Sequence, residues 1–254
     1  MNEIFTFDGN IFRGILVYSL IFFFAILFRY IVAAGIFYYY YYVKNFKKYD
    51  QRRLSKRLAK KEQLKKEVIW SVKSSAIFAF FGAVTFWLWE EDLTAVYLEI
   101  GKYALWYPPV SLVIVSLIHE TYYYWVHRLM HHPKIFRTVH KVHHDSRIPT
   151  PWTAFSFHPW ESLLEAIILP LILMFVPVNI YVLGLYLLIM TVSSVINHLD
   201  IEIYPVSFQK SRFGKLFIGA THHHHHHREF NTNYGLYFTF WDKLMATENK
   251  KMQD

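Results

Sequence analysis

HETYYYWVHRLMHHPKIFRTVHKVHH, residues 119–144, holds seven of the fifteen histidines of the chain. The stretch contains an HxxxH pattern from His127 to His131 and an HxxHH pattern over 140–144. Residues three and four apart lie on one face of a helix, so each pattern predicts imidazoles that project together. Core packing does not require five imidazoles at these spacings, whereas a metal site does. The stretch therefore predicts a metal centre built on helices.

A second histidine cluster lies far along the chain, where six consecutive histidines occupy 222–227. Purification tags lie at chain termini, and this chain continues to residue 254, which favours a native site. Two single histidines lie between the clusters, His158 before a proline and His198 after an asparagine. One structural zinc takes about four ligands. The nine or ten histidines in these patterns therefore predict two metal ions.

The composition excludes several kinds of protein and of metal site. The chain has 254 residues, of which 54% are hydrophobic and 18% charged, against about 25% charged residues in soluble domains. The apolar residues occur in long runs, which indicates membrane helices. There are no cysteines, so disulfides, thiolate-bound zinc and cysteine-ligated iron–sulfur clusters are excluded. Any metal must then be held by histidine, carboxylate or backbone oxygen, and neutral imidazole suits Zn, Cu, Fe and Ni.

The positive charge is concentrated in one basic segment, residues 44–67, which follows a long apolar run. It holds eleven lysines and arginines against three acidic residues, an excess equal to the net charge of +8 of the whole chain. A basic segment in this place is a cytoplasmic topology signal, so nucleic acid is not an expected partner. The spacing of its charges predicts a solvated helix face with Arg53, Lys56, Arg57, Lys60 and Lys61.

The apolar runs predict an all-α integral membrane protein with about four transmembrane or hairpin helices. Residues 11–43, 68–89 and 110–125 predict three spans, and 162–176 with 180–196 predicts a hairpin that enters and leaves by the cytoplasmic face. With the basic segment inside, this topology places the histidine patterns on the cytoplasmic side. We therefore expect a cytoplasmic, helical, histidine-rich metal-binding cap.

In their order along the chain, the histidine patterns resemble those of the fatty acid hydroxylase and sterol desaturase superfamily of membrane di-iron oxidases. The matching motifs are HRxxH at 127–131, HKxHH at 140–144, HisPro at 158–159, AsnHis at 197–198, and HxxHH followed by NYG at 233–235 and by a WD pair at 241–242. The stretch HKVHHDSRIPTPW is most similar to the sterol desaturase branch. The resemblance divides the chain into N-terminal spans (1–104) with the basic linker (44–67), a catalytic domain (105–248) and a polar tail (249–254).

The hexahistidine contains two HxxHH registers, one ending at His226 and one ending at His227. In the family, NYG lies six residues after the last histidine of this box, and Asn233 selects the register that ends at His227. The resemblance implies no catalytic residues separate from the metal ligands. It implies the ligands His127, His131, His140, His143, His144, His158, His198, His223, His226 and His227. Of these, His158 could instead cap a helix or hydrogen-bond to a ligand ring. His222 lies outside this set and could likewise hydrogen-bond to a ligand ring.

The resemblance also implies the chemistry. Two iron ions would use O2 as co-substrate to hydroxylate or desaturate a C–H bond of a lipid, such as a sterol, a fatty acyl chain or a sphingoid base. The chain has no flavin motif and no haem-binding domain, so the electrons would come from a ferredoxin or a b-type cytochrome with its reductase. The membrane would be a bacterial inner membrane or the endoplasmic reticulum.

Acidic residues near the motifs are candidates to orient the ligand rings. These candidates are Glu120, Asp145, Glu161, Asp200, Glu229 and Asp242. His119 lies within the third predicted span, where a structural or channel-lining role is expected, and His132 is expected not to bind metal.

Three other classes of protein fit parts of the pattern. A metal transporter would place ionisable residues in the middle of several spans, whereas these histidines lie near their ends. A zinc hydrolase would carry HExxH on a helix, but no histidine lies three residues after Glu120. The third class is a non-catalytic scaffold that the metal stabilises. Replacing one patterned histidine would unfold such a scaffold, whereas an enzyme could lose turnover and stay folded.

Overall fold

The computed structural model describes residues 10–252, and almost all of the regular structure in them is helical. In chain order, the helices of the first part are α1 (Ile11–Tyr38), α2 (Phe46–Tyr49), α3 (Lys61–Glu90), α4 (Tyr107–Met130), α5 (Pro133–Val139) and α6 (Lys141–His144). Those of the second part are α7 (Pro159–Ala166), α8 (Ile168–Phe175), α9 (Ile180–Asn197), α10 (Val206–Lys210), α11 (Ala220–Glu229) and α12 (Phe240–Leu244).

Shorter elements join these helices. A π-helical turn, Tyr39–Lys44, extends α1. In the described residues there are four 3-10 turns: Asp50–Arg52, Pro151–Phe155, Gly214–Leu216 and Lys250–Met252. Two strands of two residues each, β1 (Val96–Tyr97) and β2 (Val178–Asn179), pair in parallel. This small pairing joins the chain before α4 to the chain before α9.

Three helices in residues 10–252 are long and apolar enough to cross a membrane: Ile11–Lys44, Lys61–Glu90 and Ile180–Asn197. The predicted third span, 110–125, is part of α4, which is not among these three. The predicted first arm of the hairpin, 162–176, is divided between the short helices α7 and α8. The expectation of a helical membrane protein is consistent with this structure, and the fourth span and the cytoplasmic cap stay predictions.

α1 and α3 pack against each other along their lengths. Tyr18, near the start of α1, contacts Phe86, near the end of α3, with ring centroids 4.4 Å apart. In the middle of the pair, a Cβ added at Gly82 would lie 3.4 Å from the ring of Phe22. Small residues on spans allow such close approach of two backbones. The two helices therefore form an antiparallel pair, and their inner ends lie near the histidine clusters.

The turn Pro151–Phe155 fixes the second histidine pattern to the start of α3. Glu67 of α3 is buried and accepts hydrogen bonds from the hydroxyls of Thr150 at 2.7 Å and Thr153 at 2.9 Å. Tyr30 of α1 stacks on Phe155 with centroids 5.1 Å apart. A buried carboxylate needs such partners, because an unpaired one is costly. The segment after α6 is thus held against both α1 and α3.

The basic segment differs from its prediction. α3 begins at Lys61, but residues 53–60 are not helical. The start of this segment lies against Asp200 instead. The N–H of Leu54 donates to the Asp200 carbonyl at 3.0 Å, and the hydroxyl of Ser55 donates to the Asp200 carboxylate at 2.9 Å. The predicted helix face from Arg53 to Lys60 is therefore wrong, because these tertiary hydrogen bonds replace those of a helix.

Candidate metal centre

Four parts of the chain carry the predicted ligands to one place. α4 carries His127 on its last turn, and His131 is its C-cap residue. The second pattern, 140–144, begins at the junction of α5 and α6. α9 ends at its C-cap His198, and α11 carries 223–227. Helix ends meet here, which is why residues distant in sequence become neighbours.

Nine of the ten predicted ligands fall into two groups, in each of which the ligand nitrogens lie within 4.8 Å of one another. The five-histidine group contains His127, His131, His140, His144 and His226. The four-histidine group contains His143, His198, His223 and His227. All nine are buried except His131, which is partly buried. Each group can hold one metal ion, as the prediction of two ions requires.

Distances in the five-histidine group have the scale of metal coordination. The Nε2 atoms of His131, His144 and His226 lie 3.1 Å from one another in all three pairs. The Nε2 atoms of His127 and His140 lie 3.0 Å apart. Two imidazole nitrogens about 2.1 Å from one ion, at right angles to each other, would be about 3.0 Å apart. The nitrogens are therefore already spaced as ligands of a common ion.

The four-histidine group has the same spacing. The Nε2 atom of His198 lies 3.2 Å from that of His143 and 2.8 Å from that of His223. The Nε2 atoms of His223 and His227 lie 3.1 Å apart. This group has fewer histidines than the first, so an ion in it would keep more coordination positions free of imidazole.

Backbone carbonyls determine which nitrogen of a ring faces the centre. In four rings Nδ1 donates to a carbonyl oxygen: His127 to Tyr234 at 2.8 Å, His226 to Thr232 at 2.8 Å, His198 to Ser194 at 2.7 Å and His143 to Ser156 at 3.3 Å. Because a carbonyl only accepts, Nδ1 carries the proton and Nε2 presents a lone pair. Lone pairs of neighbouring rings face one another about 3 Å apart and repel unless a cation lies between them. The donor set therefore fits a metal ion in each group.

Burial keeps these imidazoles neutral. It lowers the pKa of His226 and the pKa of His198 to about 4. Burial, together with the neighbouring imidazoles, holds the pKa of His140 and of His143 well below the usual range. The neutral ring is the form that binds a metal ion, so the site is ready to bind metal at neutral pH.

Glu161 is the predicted acid that contacts a proposed ligand ring. It is fully buried on α7, and the Nδ1 atom of His140 donates to its Oε1 at 2.7 Å. Its second carboxylate oxygen, Oε2, has no hydrogen-bond partner among the described residues. A carboxylate behind a histidine fixes the ring orientation and increases its basicity.

We expect Glu161→Ala to lower the metal affinity of the site, with iron as the probe metal, by about 10- to 100-fold, the usual effect of losing such a support. Glu161→Gln should lose less, because the amide oxygen can still accept from His140. Iron titration of the purified variants measures this effect. Asp145→Ala is the matched control, since among the described residues the exposed Asp145 carboxylate pairs only with Lys141, four residues earlier. Equal iron affinity in Glu161→Ala and the control would contradict the assignment.

Two other predicted acids accept hydrogen bonds from backbone N–H groups instead of from a ligand ring. Glu120 on α4 is fully buried and accepts the N–H groups of Leu236 at 3.0 Å and Tyr237 at 2.7 Å. Asp242 accepts the N–H groups of Tyr234 at 2.8 Å and Gly235 at 2.9 Å. These bonds hold the NYG turn, whose Tyr234 carbonyl accepts from His127. Sequence alone does not reveal such carbonyl contacts, because any residue can provide them.

The other acidic candidates lie further from the ligands. Asp200 accepts from Nδ1 of His224 at 3.0 Å, and His224 belongs to neither group. Asp145 pairs with Lys141, and Glu229 accepts from the amide of Asn249 at 2.7 Å.

His158, the tenth predicted ligand, is not brought into either group. It is the N-cap of α7, where its Nδ1 accepts the N–H of Trp160 at 3.3 Å. This is the capping alternative that the sequence left open, and we leave His158 out of the proposed ligand set. His132 likewise caps α5, accepting the N–H of Lys134.

An apolar cavity of about 730 Å³ opens on the four-histidine group. Its walls come from α1, α3, α8 and α9, and His198 and His223 line its inner end. Phe86 and Trp89 line its other end, near the end of α3. The volume lies in the usual range of ligand pockets, roughly 300–1,000 Å³. His119, expected to be structural or channel-lining, also lines this cavity and contacts the hydroxyl of Tyr186.

The model of one family, "fatty acid hydroxylase", matches residues 112–247. A lathosterol oxidase of Mus musculus is 29% identical over 188 residues, which cover 72% of this chain and 60% of the relative. A delta(7)-sterol 5(6)-desaturase of Gibberella zeae is 26% identical over 196 residues, which cover 76% of this chain and 58% of the relative.

A methylsterol monooxygenase of Aspergillus fumigatus is 33% identical over 142 residues, which cover 54% of this chain and 46% of the relative. The matches therefore span about 60% or less of the length of these curated relatives. No solved structure matches the chain.

Proposed function

The chain belongs to the fatty acid hydroxylase family, in its sterol desaturase-like branch, and from this premise we propose that it is a membrane-bound di-iron oxidase of lipids. It would use O2 and external electrons to hydroxylate or desaturate a C–H bond. The similar enzymes are named for sterols, and we propose a sterol-type lipid as the substrate. The two histidine groups would hold the two iron ions.

The observation that carries this proposal is the meeting of the cavity with the metal centre. His198 and His223 belong to the four-histidine group and also line the inner end of the cavity. A lipid in the cavity would therefore end beside the ligands of one ion. When bound, the iron ions would supply the oxidising chemistry with O2, as cofactors do in such enzymes.

The residues of this chain would supply position and shielding. Carbonyl oxygens and Glu161 hold the ligand rings, and the apolar walls of the cavity keep water away from the reacting carbon. Glu120 is fully engaged with backbone N–H groups, which leaves it unsuited to act as the base of a hydrolase. This engagement supports the oxidase over the zinc hydrolase considered above.

The electrons would come from a ferredoxin or from a b-type cytochrome with its reductase. The absence of cysteine supports an external donor, because the chain cannot hold a cysteine-ligated iron–sulfur cluster. The basic segment after α1 supports a cytoplasmic metal centre by the positive-inside rule. The membrane would be a bacterial inner membrane or the endoplasmic reticulum.

Metal analysis tests the proposal directly. The detergent-purified protein is treated with chelator, reconstituted with Fe(II) without oxygen, and desalted before iron and zinc are counted. We expect two irons per chain, and oxidised sterol when O2 and an electron donor are added. One tightly held zinc and no iron would overturn the di-iron assignment.

We expect Gly184→Leu to block lipid oxidation without loss of iron. Gly184 lines the cavity, and a Cβ added there would meet no other atom within 4 Å. The larger side chain should occupy the space of the lipid and lower turnover at least about tenfold. The fold should be unharmed, because leucine is a better helix former than glycine by up to about 1 kcal/mol.

Product analysis and iron counting on the same sample measure these two effects. Leu185→Phe is the control, since it adds volume to the next residue of α9, which does not line the cavity. Normal turnover in Gly184→Leu would mean that the cavity does not hold the substrate.

A further inference from the structure

One arginine lies inside the wall of the apolar cavity. Arg29 belongs to α1, one of the three candidate spans, and lines the cavity together with Phe22, Ala25 and Ile26 of the same helix face. These residues recur at the spacing of one helix face, so the guanidinium is the charged end of an otherwise apolar stripe.

Arg29 has no partner in the part of the chain that the structure describes. Its Nε is buried without a hydrogen-bond acceptor, and no carboxylate of residues 10–252 forms an ion pair with it. An arginine stays charged in proteins, and a charge within a span is costly unless something pairs with it. Such residues mark binding sites or pathways more often than packing. The absent hydrogen-bond acceptor is then expected to arrive with the ligand.

The neighbours of Arg29 place it in the inner part of the cavity. The next residue, Tyr30, stacks on Phe155. Phe155 precedes Ser156, whose carbonyl lies 3.3 Å from Nδ1 of the proposed ligand His143. Arg29 is also the last cavity residue of α1 in the direction of the metal centre. Toward the other end the cavity is lined by the aromatic rings of Phe86 and Trp89.

We propose that Arg29 is the polar anchor of the substrate and binds a hydroxyl oxygen of the lipid. This inference rests on the proposed function and names the group that the cavity recognises. The hydroxyl accepts a hydrogen bond from the guanidinium, while the apolar remainder lies along Phe86 and Trp89. The carbon to be oxidised then lies nearer to the hydroxyl end of the lipid than to its tail.

A hydroxyl suits the cavity better than a carboxylate. Glu165 of α7 also lines the cavity, and its Oε1 is buried without a partner among the described residues. A lipid carboxylate would bring a second acidic group into the same apolar space. A hydroxyl brings no charge, and it both donates and accepts hydrogen bonds.

Binding of matched probes tests the assignment on the iron-loaded protein, kept without oxygen or reductant so that no turnover occurs. The probes are radiolabelled cholestanol, which carries one hydroxyl, 5α-cholestane, which carries no oxygen, and palmitate, which carries a carboxylate. We expect the wild type to bind cholestanol about tenfold or more tightly than cholestane, the scale of a hydrogen bond to a charged group.

In Arg29→Met this preference should disappear, with cholestane binding unchanged. Arg29→Lys should keep part of it, because the ammonium still donates. Arg13→Met is the matched control, since it removes the same charge from the exposed start of α1, outside the cavity. Iron content and thermal unfolding of each variant show whether it has folded.

An unchanged preference in a folded Arg29→Met variant would overturn the role of Arg29. Arginine-dependent binding of palmitate in place of cholestanol would overturn the hydroxyl assignment. In either case, two irons and sterol oxidation in the wild type would support the proposed function independently of Arg29. A wild-type protein with neither iron nor sterol oxidation would overturn the proposed function itself.

Discussion

With two irons in the two histidine groups as proposed, His226→Ala is expected to lose one of them and to abolish the proposed lipid oxidation. The Nε2 atom of His226 lies 3.1 Å from those of His131 and His144, so its ring faces the centre of the five-histidine group. Its loss should exceed the roughly 10- to 100-fold effect of removing a residue that supports a ligand from behind. We therefore expect activity to fall more than 100-fold.

The two groups share no histidine, which sharpens the expectation. His226→Ala should retain iron in the four-histidine group, and His198→Ala should retain it in the five-histidine group. Metal analysis after anaerobic reconstitution would then give about one iron per chain for each variant. Activity should be lost in both, because the proposed reaction requires both ions.

His225→Ala is the matched control for His226→Ala. His225 is the preceding residue of the same helix, partly buried, with Nδ1 3.8 Å from the carboxylate of Glu229, and it belongs to neither group. It should keep two irons and near-normal activity. A His226→Ala protein with two irons and wild-type turnover would exclude His226 as a ligand.

The second large effect is expected for Glu120→Ala, which should destabilise the fold by about 3 kcal/mol or more. The Glu120 carboxylate accepts the N–H groups of Leu236, Tyr237 and Phe238, the last at 3.4 Å. Without it these donors, of which that of Tyr237 is buried and the other two are partly buried, have no partner, and each unsatisfied buried group costs about 1–3 kcal/mol. The nearby Tyr234 carbonyl, which orients His127, should then move as well.

Thermal unfolding in detergent and iron retention measure this effect together. Glu120→Gln should be milder, because its amide oxygen still accepts one or two of the N–H groups. Glu91→Ala is the control, since it removes an exposed glutamate just past the end of α3. A Glu120→Ala protein as stable as this control would show that the loop is held by other contacts.

Much of the candidate site could be predicted from the sequence. The spacing from His127 to His131 and the HxxHH pattern at 140–144 predicted a histidine metal centre without reference to any fold, and the structure brings these histidines together. Absence of cysteine excluded thiolate ligands. Both properties are local, because residue type and spacing along a helix decide them. The register of the hexahistidine came instead from the resemblance to the family, through the NYG at 233–235, and its three members all lie in the two groups.

Local spacing was less informative where tertiary contacts compete with it. The charges of Arg53 and Lys56 suggested a helix face, but hydrogen bonds to Asp200 hold this part of the chain in a non-helical course. His158 carried a motif match, yet the start of α7 uses its ring as a cap. In both cases the competing partner is distant in sequence or is a backbone group that has no signature.

Residue types and their order determined that this chain carries membrane-type helices and the histidine patterns of the fatty acid hydroxylase family, which predict a metal centre. Only the tertiary structure decided how the ligands are shared. Side chains of consecutive helical residues point about 100° apart. His143 therefore joins the four-histidine group while the next residue, His144, joins the other. The packing of separate helices, which local spacing does not encode, also placed the cavity, the carbonyls behind the rings and Arg29, which pairs with no carboxylate of residues 10–252.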